Sequence, residues 1–149
     1  MTAILIMAHA PLASALRDVA AHVLPEAARE LLVLDVLPSW DGPAVGAAAQ
    51  AVLAKSRGTP LLILTDVFGA TPCNAAQRLA DGQNVRVVTG VNVAMLWRAL
   101  SYTHEPLEAL VARAVSGGTQ GVLQLAPQGP QFQTQKPPRH DQEHVDHQQ

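Results

Sequence analysis

The sequence predicts an α/β fold, an open and mostly parallel doubly wound sheet flanked by helices. Short, unbroken apolar runs alternate with longer segments of helical periodicity, which is typical of βα units joined by right-handed crossovers. The runs lack the polar–apolar alternation of half-exposed strands, so helices should cover both faces of the sheet. With 149 residues, 48% of them hydrophobic, the chain can form one domain with its own core.

The first βα unit carries a histidine between its strand and its helix. Residues 3–7 are uniformly apolar and predict a strand; His9 follows after Ala8, and Pro11 suits the first position of a helix. The predicted helix has one apolar face, formed by Leu12, Leu16, Val19 and Val23. His9 is therefore expected at the carboxyl end of a strand, where open α/β sheets collect ligands and chemistry.

The later units repeat this order. Strands are expected at residues 31–37, 61–65 and 85–89, and helices from Pro43 to about residue 57, 71 to about 80, 92 to about 102 and 107 to 116. Gly117-Gly118 should end the last helix, and residues 121–125 should form a last short strand. Residues 1–125 are thus the predicted folded domain. Residues 126–149, rich in proline, glutamine and histidine, are predicted to be a disordered tail.

The composition argues against several classes of protein: membrane-inserted, disulfide-rich and nucleic-acid-binding. No apolar run is as long as a membrane span, and the N-terminus lacks the pattern of a cleaved signal, so we expect no membrane insertion. A single cysteine excludes an internal disulfide framework and favours the reducing cytoplasm. The net charge is −2 with scattered basic residues, which gives no support for nucleic-acid binding.

Asp66 stands one residue past the third predicted strand, and His9 occupies the corresponding position just past the first. If these strands are neighbours, the two side chains face each other, and a carboxylate bonded to one imidazole nitrogen leaves the other free to attack. Behind Asp66, Gly69 permits close approach of the backbone. Thr71 adds a hydroxyl and the N–H groups of a helix start, which suit an anion such as a phosphoryl group.

Each of these residues also has a plain structural explanation. His9 could be a loop residue without a task, Asp66 a loop cap, Gly69 a turn residue and Thr71 an ordinary helix start. A further alternative is a thiol enzyme that uses Cys73, in the first turn of the same helix; a small packed residue explains that position as well. The combination of His9, Asp66 and a helix start favours a chemical site.

Three segments resemble the EIIA component of the mannose class of the bacterial sugar phosphotransferase system. They are the opening strand with His9, residues 66–74 (Asp-Val-Phe-Gly-Ala-Thr-Pro-Cys-Asn) and residues 89–96 (Thr-Gly-Val-Asn-Val-Ala-Met-Leu). The resemblance covers roughly residues 2–125. It implies an open, mostly parallel α/β sheet with a C-terminal antiparallel edge strand that is exchanged across a homodimer.

The resemblance also implies a phosphoryl relay. His9 would accept a phosphoryl group from phospho-HPr on its Nε2 and pass it to an EIIB-type partner. Asp66 would bond its Nδ1, while Gly69 and Thr71 would bind the phosphoryl oxygens, without metal or cofactor. Ala10 and Ala70 stand where the family commonly has glycine, and Thr71 where it usually has serine.

Two other functions remain open on the sequence. The chain could be a regulatory module whose His9 phosphorylation state controls a non-transport partner, because the same chemistry serves both roles. It could also be the phosphotransfer subunit of a dihydroxyacetone kinase, which has a similar domain with a histidine after its first strand. The Gly-Ala-Thr-Pro-Cys-Asn segment at residues 69–74 favours the mannose class.

Overall fold

A computed structural model gives the fold of the chain and describes residues 1–56 and 58–129. Its strands are β1 (Ala3–His9), β2 (Leu32–Val36), β3 (Leu61–Thr65) and β4 (Val85–Thr89). Its helices are α1 (Leu12–Val23), α2 (Pro25–Glu30), α3 (Gly42–Lys55), α4 (Thr71–Leu79), α5 (Val93–Ser101) and α6 (Leu107–Gln120). The α/β prediction is confirmed.

The sheet is fully parallel over its four described strands, in the order β2-β1-β3-β4. β1 and β3 are therefore neighbours, and their register sets Met7 opposite Thr65. On its other side β1 pairs with β2, where His9 lies opposite Val36. Because all four carboxyl ends lie at one edge, the loops after β1, β2 and β3 meet around the end of β1.

Alternate residues of the strands enter two separate cores. Ile4, Ile6 and Ala8 of β1 face a layer that contains α1, α5 and α6. Leu5 and Met7 face the other layer, built from α3 and α4. Every residue of β3 is buried, as expected for a strand covered by helices on both faces.

The buried face of α1 differs from the apolar face of the sequence pattern. Ala13, Leu16 and Ala20 are the buried residues of this helix. Leu12, Val19 and Val23 are exposed by 37–54%. Alanine side chains let the helix backbone approach the sheet closely, so the larger residues beside them remain at the surface. Helix α2 was not predicted, since six residues are too few to show helical periodicity.

The C-terminal end of the domain corrects two sequence expectations. Gly117 and Gly118 lie inside α6, which continues to Gln120, instead of ending the helix. A Cβ at Gly117 would approach Arg98 Cβ to 2.6 Å, so these glycines allow α5 and α6 to pack closely. Residues 121–125 form no strand in the described chain, and Val122, Leu123 and Leu125 are exposed. A strand needs a partner edge, and this segment pairs with no strand within the described residues.

The predicted boundary near residue 125 falls in a described stretch without helix or strand, residues 122–129. The rest of the predicted tail, 130–149, lies outside the described residues, as does residue 57 at the expected end of α3. Within the described ranges, no helix has both the length and the apolar character needed to cross a bilayer.

Candidate active site

His9 is the last residue of β1, and Asp66 is the first residue after β3. Because the two strands are adjacent, the side chains are in contact: His9 Nδ1 lies 2.6 Å from Asp66 Oδ2. The backbone N–H of His9 donates to the same oxygen at 2.9 Å. One carboxylate oxygen thus holds both the ring and the backbone of the histidine.

The second oxygen of Asp66 is also occupied. Its Oδ1 accepts the backbone N–H of Val67 at 2.9 Å. Burial raises the pKa of Asp66, but the hydrogen bonds from His9 and Val67 outweigh it and lower the pKa below its ordinary value. The carboxyl group is therefore ionised at neutral pH and can only accept hydrogen bonds.

This contact assigns the two ring nitrogens of His9. An ionised carboxylate has no proton to give, so Nδ1 is the donor in the short contact. In the neutral ring the lone pair then lies on Nε2. The His9 side chain is 50% exposed, whereas that of Asp66 is 13% exposed. The arrangement leaves the imidazole half exposed and keeps the carboxylate that bonds it below the surface.

Four helices start at this edge of the sheet, one after each strand, and three of them are capped by a side chain. The acceptors are Asp35 for α1, Asp41 for α3 and Asn92 for α5. Helix α4 follows Ala70, whose methyl group cannot cap, and no side chain caps α4 in the part of the chain that the structure describes. Its N-terminus, which begins at Thr71 a few residues after Asp66, is open to an anion.

Gly69 shapes the loop between Asp66 and α4. Its φ is +84°, a conformation that side-chain-bearing residues rarely adopt. A Cβ built there would meet no heavy atom within 4 Å, so backbone conformation, not lack of space, favours glycine. The side-chain amide of Asn74 donates to the Gly69 carbonyl at 3.2 Å and ties the loop to the first turn of α4.

Cys73 is buried and does not reach the surface at the carboxyl edge of the sheet. The residue lies in the first turn of α4 with its side chain buried, only 1% exposed. A buried thiol behaves as a small packed apolar group, which disfavours the thiol-enzyme alternative. In the described residues, no group of three or more histidine, cysteine, aspartate or glutamate side chains could hold a metal ion.

One polar contact beside the site was missed by the sequence analysis. Asp35 of β2 accepts hydrogen bonds from the backbone N–H of Ser14, at 3.1 Å, and from its hydroxyl. The signal was present in the sequence, because Asp35 is the single charged residue in an otherwise apolar run of strand residues. Its partner could not be read from the pattern, since Ser14 is 21 residues away.

Comparison with known proteins gives a family for this chain. Residues 3–115 match the EIIA-man family model, described as "PTS system fructose IIA component". The mannose-specific EIIAB components of Escherichia coli K12 and Shigella flexneri are 34% identical over 96 residues, 62% of this chain. The match spans only 30% of the length of these relatives.

Solved structures agree on the fold. The mannose/sorbose-specific IIA subunit of the Enterococcus faecalis phosphotransferase system has a TM-score of 0.80 and 23% identity, covering 87% of this chain and 98% of that one. Phosphotransferase system component EIIA from Streptococcus agalactiae has a TM-score of 0.75 and 21% identity, covering 83% of this chain and 97% of that one. At these identities the similarity establishes the architecture.

Proposed function

The chain belongs to the mannose-class EIIA family of the sugar phosphotransferase system, and on that basis we propose that it is a phosphoryl carrier. It accepts a phosphoryl group from phospho-HPr on Nε2 of His9 and passes it to a histidine of an EIIB-type partner. The observation that carries this proposal is the contact between His9 Nδ1 and Asp66 Oδ2 at 2.6 Å, which leaves Nε2 free on a half-exposed ring.

The transfer follows from the state of the ring. The Nε2 lone pair of His9 forms the new N–P bond, while the N–P bond of the donor breaks and its electron pair returns to the donor imidazole. His9 keeps the proton on Nδ1, so its ring becomes positively charged. The ionised Asp66 stabilises that charge at hydrogen-bond distance, as an orienting carboxylate does beside a catalytic histidine.

The phosphoryl oxygens would lie at the start of α4. This helix is the uncapped one of the four that begin at the carboxyl edge, as far as the structure describes the chain. Its free N–H groups and the Thr71 hydroxyl can donate to the oxygens as charge develops on them. Positive φ at Gly69 turns the chain into this position. In-line transfer between two imidazoles chiefly needs such positioning, so we propose no metal or cofactor.

The setting of His9 suits a protein donor. The ring is half exposed, and Val67 and Phe68, directly after Asp66, are 52% and 74% exposed. Exposed apolar side chains beside a reactive group are typical of a surface that another protein covers. We propose the cytoplasm as the location of this relay, because a single cysteine favours a reducing environment. We further propose that the carrier works as a homodimer in sugar uptake or in regulation linked to it.

Phosphorylation by the reconstituted relay tests this function. The protein is incubated with labelled phosphoenolpyruvate, enzyme I and HPr, and acid-labile label on the chain is measured. The wild-type protein should be labelled and His9→Ala should not. His22→Ala and His104→Ala are matched controls, because His22 lies in the last turn of α1 and His104 follows α5, at the opposite edge from His9. Both should be labelled normally. Label on His9→Ala would refute the assignment.

A further inference from the structure

We propose that Asp35 is a positioning residue for His9, which it holds in place through Ser14 and the first turn of α1. The proposal rests on the phosphoryl-carrier function and extends it to a residue that does not touch the phosphoryl group. Asp35 lies on β2, and its register partner on β1 is Ala8, the residue before His9.

Asp35 caps the N-terminus of α1 from a neighbouring strand. The residue before this helix is Pro11, whose ring cannot accept a hydrogen bond from the first turn. Asp35 supplies the acceptor from a neighbouring strand: its Oδ1 takes the Ser14 N–H at 3.1 Å and its Oδ2 takes the Ser14 hydroxyl. An aspartate at this place satisfies an orphan N–H and complements the helix dipole.

The cap matters for His9 because only two residues separate that histidine from the helix. The short segment is held at three points. Asp66 holds the His9 N–H at 2.9 Å, and the carbonyl of Val36 accepts the Ala10 N–H at 3.0 Å. Asp35 fixes the far end at Ser14. Without the bond between Ser14 and Asp35, α1 can shift relative to β2. Because the loop from His9 to Pro11 joins β1 to α1, such a shift would move His9.

The placement of a charge in this strand supports a specific role. In the four described strands, Asp35 is the one residue with a carboxylate, and Arg86 is the one with a basic side chain besides His9. An acidic group between the apolar Leu34 and Val36 costs desolvation unless it is well bonded. Both of its oxygens receive donors from Ser14, and this pairing offsets the cost.

The test compares two caps of the same kind. Asp35→Ala removes the cap of α1, and Asp41→Ala removes the cap of α3, where Asp41 Oδ1 accepts the Ala44 N–H at 2.8 Å. Both helices begin at the same sheet edge, but α3 does not continue from His9. For each variant the rate of phosphorylation is measured against phospho-HPr concentration, which separates the saturating rate from the half-saturating concentration. Unfolding by urea gives the stability of both.

We expect Asp35→Ala to lower the saturating rate about tenfold, since small misplacements of a reacting group cost up to about a hundredfold. Its half-saturating concentration should stay unchanged. Asp41→Ala should lose comparable stability and keep the wild-type rate. Asp35→Asn should restore most of the rate, because its amide can accept the Ser14 N–H and donate to the Ser14 hydroxyl.

Several results would overturn the proposal. A wild-type saturating rate in Asp35→Ala would do so, and so would an equal loss in Asp41→Ala. If Asp35→Ala does not fold, Ser14→Ala decides, because it removes only the hydroxyl bond; a rate reduced about threefold supports the role and an unchanged rate refutes it. Wild-type protein that takes no phosphoryl group on His9 would instead refute the carrier function itself.

Discussion

At the level of single residues, the proposed site consists of an imidazole and a carboxylate whose contact occupies one ring nitrogen and leaves the other free. Asp66 uses one oxygen for the ring and backbone of His9 and the other for Val67. It is therefore fixed before any phosphoryl group arrives. In the proposed transfer, such preorganisation would lower the barrier because the supporting charge need not reorient.

Replacing Asp66 by asparagine should slow phosphorylation while keeping the fold. The amide is neutral and cannot stabilise the charged ring as the carboxylate does. We expect a loss of about 2–4 kcal/mol in transition-state stabilisation, and about 2 kcal/mol already corresponds to roughly 30-fold in rate. Single-turnover phosphorylation by phospho-HPr measures it. A wild-type rate in Asp66→Asn would show that the carboxylate does not support the reaction.

The pH dependence of stability provides a second measurement on the same group. The pKa of Asp66 is lower in the folded chain than in the unfolded one, because its hydrogen bonds favour the ionised form. The contribution of ionised Asp66 to the free energy of unfolding is therefore complete above the unfolded pKa, about 3.9. It is lost as the pH falls through the folded pKa. The difference in unfolding free energy between wild type and Asp66→Asn should shrink as the pH falls below about 4, where the carboxylate gains a proton. A difference that grows below about pH 4 would contradict this.

The residues of the site differ in how far the sequence predicts them. His9 and Asp66 are each adjacent to a strongly apolar run, so their place at the ends of strands follows from the pattern. Their contact requires β1 and β3 to be neighbours in the sheet. The sequence pattern does not predict strand order, so the contact could be expected only on that condition. Asp35 was missed because its partner belongs to another element, and hydrogen bonds between distant residues leave no periodic signal.

At the level of elements, packing determines which face of α1 is buried and where α6 ends, and the hydrophobic periodicity predicted neither correctly. The exposed Val19 and Val23 of α1 belong to a regular apolar stripe, yet the helix buries its alanines. Likewise, Gly117-Gly118 has the appearance of a helix stop, but both residues serve a close helix pair. Glycine inside a helix costs about 1 kcal/mol relative to alanine, and the approach of α5 offsets it here.

The close pair of α5 and α6 can be tested with two glycine substitutions. Gly117→Ala would place a Cβ 2.6 Å from Arg98 Cβ and should destabilise the fold by about 1–3 kcal/mol. Gly46→Ala is the matched control, because that glycine lies inside α3 with no heavy atom within 4 Å of a built Cβ. It should stabilise the fold by about 0.5–1 kcal/mol. Urea unfolding measures both, and equal effects of one sign would contradict the packing argument.

At the level of the whole molecule, the strand order β2-β1-β3-β4 places His9 beside Asp66. The same sheet does not include the C-terminal segment, residues 121–125. The alternation of elements was enough to predict parallel strands and right-handed connections. It was not enough to describe residues 121–125, whose strand-like composition forms no strand in the described chain. Strand formation depends on a partner edge, and that edge can belong to another molecule.

We expect the exposed Val122, Leu123 and Leu125 to pair with a sheet edge of a second copy, which makes the protein a homodimer. Sedimentation at micromolar concentration should give a dimer for the full chain and for a chain that stops after Ala126. A chain that stops after Gly121 should be a monomer, because it lacks the exposed apolar segment. A monomeric full chain, or a dimer that survives the shorter truncation, would refute exchange through these residues.

Asp66 bonds Nδ1 of His9, and we propose that this leaves Nε2 to carry the phosphoryl group. NMR of the protein phosphorylated by phospho-HPr measures this directly, because the two phosphohistidine isomers differ in their ³¹P and ¹⁵N shifts and couplings. We predict one phosphohistidine, with phosphorus on Nε2, which disappears in His9→Ala. Phosphorus on Nδ1, or a phosphohistidine that persists in His9→Ala, would contradict the account.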